Sequence, residues 1–279
     1  MDSSPHKNHQ RRRWTDFFTV QKVGVLLLIL SLASAIIGYI TLYPDGFDFR
    51  TFAGDFYANI SSELFSIAIT VLIIDALSRR RDAIKEENAE RMRLVRQLGS
   101  SLNEVAKRAA EELRADGWLT DGSLQEQDLR VANLEDAKLW KADFQGANLQ
   151  WARLKRANLN GATLAGANLT QANLQTTRLA GADLRGANLF EAKLYRAILK
   201  GAYLQNANLT SAHLEGAKMI GANLYQTELT GAYFDETTVL PNGEAWSEAT
   251  DMTQFTHTEH PNYGIASDMV TDNVDEGDE

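Results

Sequence analysis

From Ala132 to Phe234 every fifth residue is large and apolar, and the residue two places before it is nearly always alanine. The apolar position, at 134, 139, 144 and onward to 234, occurs 21 times and is Leu in 18 of them, the others being Phe144, Met219 and Phe234. The small position, from Ala132 to Ala232, departs from Ala only at Thr177 and Thr227, and Asn or Asp often stands between the two. A period of five matches neither the 3.6 of a helix nor the 2 of a strand, so neither element could bring all the leucines to one side. The backbone must itself repeat every five residues, with Leu and Ala inward and the other three residues in water, which makes a solenoid. A Thr in the small position would return its hydroxyl to a nearby carbonyl rather than leave it unpaired inside.

The units Ala147-Asn148-Leu149, Ala157-Asn158-Leu159, Ala167-Asn168-Leu169 and Ala187-Asn188-Leu189 carry the pattern A(N/D)Lxx. In them the chain resembles the pentapeptide-repeat family. The resemblance implies an all-β, right-handed quadrilateral β-helix with four pentapeptides per coil, so that 21 repeats make about five coils and a rod roughly 25 Å long. Residues twenty apart then share a face. One face collects Arg153, Lys155, Arg156, Lys193, Tyr195 and Arg196, a candidate surface for an acidic protein partner or anionic headgroups. Asn148, Asn168, Asn188 and Asn208 stack in a second column, where their amides would form a ladder. Glycine recurs at Gly146, Gly166 and Gly186 and at Gly161, Gly181, Gly201 and Gly221, leaving those corners bare.

The flanks read differently. Residues 1–22 read as a cytoplasmic basic N-terminus that contains Arg11 to Arg13, and an uncharged apolar run from Val23 to Tyr43 follows, long enough at 1.5 Å per residue to cross a bilayer. Ala33-Ser34-Ala35 has the small-x-small form of a signal-peptide cleavage site, but the apolar run continues past it. Pro44-Asp45-Gly46 makes a turn into an acidic loop, and a second apolar run from Ile60 to Ser78 ends in Arg79, Arg80 and Arg81. Residues 23–78 therefore read as a two-helix transmembrane hairpin, with both chain ends placed in the cytoplasm by the arginine triplets. The expectation is a multi-pass protein of a bacterial inner membrane. Ser34-xxx-Gly38 and Ser62-xxx-Ser66 would let the spans pack closely, within one hairpin or between copies in a homo-oligomer.

Residues 79–117 read as a cytoplasmic helical linker and N-terminal cap. The second span would continue as a charged helix up to Gly99; Ser101 to Glu104 has the form of a capping box; and Leu102, Val105, Ala106, Ala109 and Leu113 make an apolar stripe that would cover the first coil. Trp118, Leu119, Leu124 and Leu129 lead into the solenoid, assigned to 118–240. In 241–279, Trp246, Met252 and Phe255 would close the last coil, ahead of an acidic tail too poor in apolar residues to order itself. This order of parts resembles membrane-anchored pentapeptide-repeat proteins of bacteria, the cyanobacterial type included.

No P-loop, GxSxG or HExxH is present, and zero cysteine removes thiolate chemistry and disulfides. The chain reads as no enzyme, with no cofactor and no metal; His257-Thr258-Glu259-His260 reads as polar tail. The family's best-known activity is DNA mimicry that modulates type II topoisomerases through an acidic solenoid. Here residues 131–240 carry 11 Lys and Arg against 9 Asp and Glu, which departs from that pattern, and no nucleic acid is expected as a partner. The reading is a membrane-anchored scaffold presenting a rigid cytoplasmic β-helix for protein-protein interaction. Its alternative is a structural subunit that binds other membrane proteins through the hairpin.

Overall fold

The computed structural model describes residues 48–257 together with Ile29, Ala33 and Ile37. The basic N-terminus, the Ser34-xxx-Gly38 spacing, nearly all of the first apolar run and the tail from Thr258 onward lie outside the described residues. The chain divides into two compact units, Met1–Asp82 and Ala83–Glu279.

The membrane reading is overturned. Among the described residues no helix is long and apolar enough to cross a membrane, which conflicts with a multi-pass inner-membrane protein. The run from Ile60 to Ser78 is not an element of its own. It forms the middle of α1 (Phe49–Leu98), a continuous 50-residue helix that begins where the acidic loop was expected and ends in a charged half. Glu63 and Asp75 interrupt the apolar stretch, and the Asp75 carboxylate pairs with Arg79 one turn on at 2.6 Å. Two membrane spans are therefore not supported among the described residues, and neither are the hairpin, the membrane as a partner and the alternative in which the hairpin binds membrane proteins.

The solenoid follows from where each backbone N–H finds its acceptor. In the repeat 147–151, Ala147 N–H turns back to the Phe144 carbonyl (3.0 Å), Asn148 donates to Gln127 on the coil before (2.9 Å), and Leu149 donates to Asn168 on the coil after (2.7 Å). Gln150 donates to the Oδ1 of Asn148 (3.2 Å), and Trp151 donates to Thr170 (3.1 Å). All five donors are satisfied, so a buried leucine column strands no backbone group. Parallel bridges join residues twenty apart, from Asp128 with Asn148 to His213 with Tyr233, so four repeats make one coil. Each bridge is a single residue long, because the chain turns a corner before a strand can extend.

Every fifth residue from Glu126 to Gly231 has φ between +53° and +70°, and this left-handed residue turns the corner. The glycine columns mark that position at no steric cost, whereas Val131 and Thr176 adopt it despite β-branching. Asn before leucine serves the turn more than a ladder. Asn208 does donate to Asn188 Oδ1 (3.2 Å), but the Oδ1 atoms of Asn148, Asn168, Asn188 and Asn208 each accept the N–H two residues on. Inside, Leu134 to Leu224 and their alanine partners are buried, with Phe144 and Met219 filling the same column. Thr177 and Thr227 donate their hydroxyls to the carbonyls of Leu154 (2.7 Å) and Leu204 (2.8 Å), as expected for Thr at a buried small position.

Both ends of the stack are covered. Helix α2 (Asn103–Ala115) buries Ala106, Ala109, Ala110 and Leu113, and the last turns of α1 add Leu94, Val95 and Leu98 to the same core. The stripe is rotated from the expected one: Leu102 and Val105 are exposed. No side chain caps α2. Asn103 instead reaches the solenoid, donating to the carbonyls of Asn133 (3.2 Å) and Glu135 (3.0 Å), while the Ser100 carbonyl accepts the N–H of Asn133 (2.9 Å). At the other end Val239 bridges Lys218 in parallel and Ala245 in antiparallel fashion. Trp246 stacks on Phe234 with centroids 5.8 Å apart, and Phe255 of α3 (Thr253–Thr256) is buried against the core.

Candidate partner-binding face

Around each leucine, the residue before it and the two after it point outward, so the twenty-residue stacking converts sequence columns into faces. The face expected from the sequence contains residues 133, 135 and 136 on the first coil, then 153, 155 and 156, and so on to 233, 235 and 236. The structure divides the six candidate residues into two groups. Arg153 pairs with Glu135 (2.6 Å), and Arg156 grips Asp136 through Nε and Nη2, both at 2.7 Å. Those two arginines are spent on the preceding coil. The hydrogen bonds between Arg156 and Asp136 hold the Asp136 carboxyl below and the Arg156 guanidinium above its usual range.

Lys155, Lys193, Tyr195 and Arg196 instead line a shallow depression of about 540 Å³, together with Gln175 and Thr176. Among the described residues its three cations make no ion pair. Gln175 and Thr176 were missed in the sequence, although a period of twenty places them on the coil between Lys155 and Tyr195. Tyr195 is held from the C-terminal side. Its ring stacks on His213 (5.0 Å between centroids), which stacks on Tyr233 (4.5 Å), and its hydroxyl meets His213 Nδ1 at 2.8 Å. Burial foremost, and then the charge of Glu215, push the Tyr195 hydroxyl above its ordinary pKa, so it stays a neutral hydrogen-bonding group. A site of three cations, an amide and two hydroxyls suits carboxylate or other anionic oxygens. Among the described residues no group of three His, Asp or Glu stands close enough to hold a metal ion.

The family of pentapeptide repeats matches this chain in eight copies over residues 132–171, 167–206 and 197–235, the stretch in which the coils stack. Over that stretch the chain is a pentapeptide-repeat protein. It is similar to HetL, a pentapeptide repeat protein involved in heterocyst differentiation regulation from the cyanobacterium Nostoc sp. strain PCC 7120, at 33% identity and a TM-score of 0.31, covering 44% of this chain and 61% of that one. The chain thus spans less than two thirds of HetL. It is also similar to the pentapeptide repeat protein Rfr23 from the cyanobacterium Cyanothece 51142, at 31% identity and a TM-score of 0.21, covering 44% of this chain and 84% of that one. A pentapeptide repeat protein of the Arabidopsis thaliana thylakoid lumen matches at 30% identity and a TM-score of 0.19, covering 38% of this chain and 67% of that one. No curated protein matches in sequence.

Proposed function

We propose that this pentapeptide-repeat protein is a non-enzymatic scaffold whose solenoid, over 118–240, binds an acidic protein partner at the depression between Lys155 and Arg196. The capped rod of 79–257 supplies the rigidity. The observation that carries the reading is the split among the basic residues: Arg153 and Arg156 are neutralised by acids of the neighbouring coil, whereas Lys155, Lys193 and Arg196 line one shallow depression together with the hydrogen-bonding groups of Gln175, Thr176 and Tyr195. A rigid stack positions them without ordering cost on binding. DNA mimicry asks for an acidic surface, whereas residues 131–240 carry 11 Lys and Arg against 9 Asp and Glu.

A photo-crosslinking residue at Thr176 in the full chain tests this. Crosslinks to a protein should appear there and disappear when Lys155, Lys193 and Arg196 are changed to Glu, with melting unchanged. Crosslinks that survive the reversal, or none from Thr176 while other faces give them, would remove the depression as the site.

A further inference from the structure

One quarter turn further round the solenoid lies a face with five cations and no acid. Its outward positions run from Lys138 to Gly221 and hold Lys138, Lys141, Arg178, Lys200 and Lys218, with Trp, Asn, Ala, Ile or Gly at the rest. All five cations are exposed, and among the described residues none of them enters an ion pair. Elsewhere on the solenoid Arg130, Arg153, Arg156 and Arg185 each hold an acid, at Asp128, Glu135, Asp136 and Asp183, and the cations of the depression share their face with Glu135, Asp136, Glu215, Asp235 and Glu236, whereas this face carries no acid at all. Like charges about 5–10 Å apart repel within the Debye length of roughly 8 Å, so this face lacks an internal electrostatic reason to exist. Gly161, Gly181, Gly201 and Gly221 form its edge, where backbone lies bare. Glu244 belongs to the turn that closes the C-terminal end of the stack, beyond the cations.

We infer that this face is a docking strip for an extended acidic polypeptide segment of a partner protein, with aliphatic residues between its carboxylates. Three observations select that occupant. Ile198 and Ile220 stand out among the cations, 36% and 39% exposed, and Ile198 bridges Lys218 directly. A phosphate polymer would leave them in contact with charge, whereas an aliphatic side chain would bury them. Four of the five cations are lysines, point charges that lack the planar fork with which arginine grips phosphate. The third observation is spacing. Lys138, Arg178 and Lys218 recur on every second coil, about 9.6 Å apart, and a polyproline-type extended chain advances about 9.3 Å in three residues. An acid at every third residue therefore meets a cation at every second coil, with the residues between them free to cover the isoleucines.

The probe is a labelled peptide of about four Asp-Val-Pro repeats, long enough to cross the stack, titrated by fluorescence anisotropy into the full chain at low salt. Changing Lys138, Arg178 and Lys218 to Glu should weaken binding at least about tenfold, and a peptide of the same composition with its acids contiguous should bind more weakly than the regular one. Reversing Lys155, Lys193 and Arg196 should leave this binding unchanged, so the two faces fail separately. Melting curves establish that each variant is folded. Equal binding by the reversed face or the contiguous peptide would overturn the inference. Tighter binding of an oligothymidylate of equal charge would assign the face to nucleic acid. Binding seen only after removal of residues 258–279 would assign it to the chain's own acidic segment rather than to a partner.

Discussion

Asn168, Leu169 and Thr170 show how differently adjacent residues are constrained. Leu169 is fully buried in a column one side chain wide, while Thr170 is only half-buried, with its hydroxyl on Asn168 Oδ1 (2.7 Å). Leu169→Asp should destabilise by roughly 4 kcal/mol or more, because a carboxylate enters an apolar interior with no partner, whereas Thr170→Asp should stay within about 0.5 kcal/mol. Denaturant titration of the two variants checks this, and equal losses would mean that the inward phase is misassigned. This phase was fully legible, since it depends only on which residues are large and which are small. The corner was only partly so. Glycine columns point to it, but residues such as Glu126, Arg156 and Gln171 take the same left-handed backbone, and nothing in their identity reveals it. The asparagines were read for their stacking, while the demand they meet is local: the N–H after each leucine needs an acceptor.

Among the elements, the caps were the harder reading. Gly99 and Asp116-Gly117 end the helices where expected, because glycine and aspartate act through local geometry. The burial of Leu94, Val95 and Leu98 was hidden by their setting, a helix whose other residues are mostly charged and whose apolar neighbours upstream suggested a bilayer. The apolar run of α1 misled for a related reason: the run from Ile60 to Ser78 stands out by eye, yet with Glu63 and Asp75 inside it no helix among the described residues is long and apolar enough to cross a membrane. At the C-terminal cap, Asp235 accepts from the N–H groups of Gly216 (2.9 Å) and Thr237 (3.0 Å) and from the hydroxyls of Thr237 (2.7 Å) and Thr238 (3.0 Å). These bonds, led by the Thr237 hydroxyl, hold its carboxyl below the ordinary value of 3.8. A carboxylate with a depressed folded pKa stabilises above its unfolded value, and that contribution is lost as pH falls through the lowered one. Melting of the wild type and Asp235→Asn should therefore differ most near neutrality, and the gap should close as pH drops below about 4. Asp128, Asp136, Asp183 and Glu228 are lowered as well, so both proteins lose stability in acid and only the difference reports on Asp235.

For the whole molecule, the twenty-residue recurrence separates what folds the chain from what it displays. The core reads only the phase within each five residues. The faces read the phase within twenty. Sequence inspection found one face because its basic residues cluster near Tyr195, and it passed over Lys138 to Lys218 because five cations spread through 81 positions look unremarkable until they are wound. The same arithmetic makes the solenoid behave like a combination lock. Removing residues 167–171 keeps every leucine inward and leaves untouched the coils that the two caps contact, yet it turns Lys193, Tyr195 and Arg196 a quarter revolution away from Lys155. Removing 167–186 shortens the rod by about 4.8 Å and restores the alignment. The chain has no cysteine, so Cys placed at 155 and 195 gives a clean readout. A bismaleimide of about 10 Å, two coil spacings, should bridge the pair in the parent but not in the five-residue deletion, and in the twenty-residue deletion, where the pair stands one coil spacing of about 4.8 Å apart, mild oxidation should join the two cysteines directly, although all three should melt cooperatively. A lineage that gains or loses single pentapeptides would thus redeal its binding surfaces at almost no expense in stability, and length changes in fours would alter reach while preserving recognition.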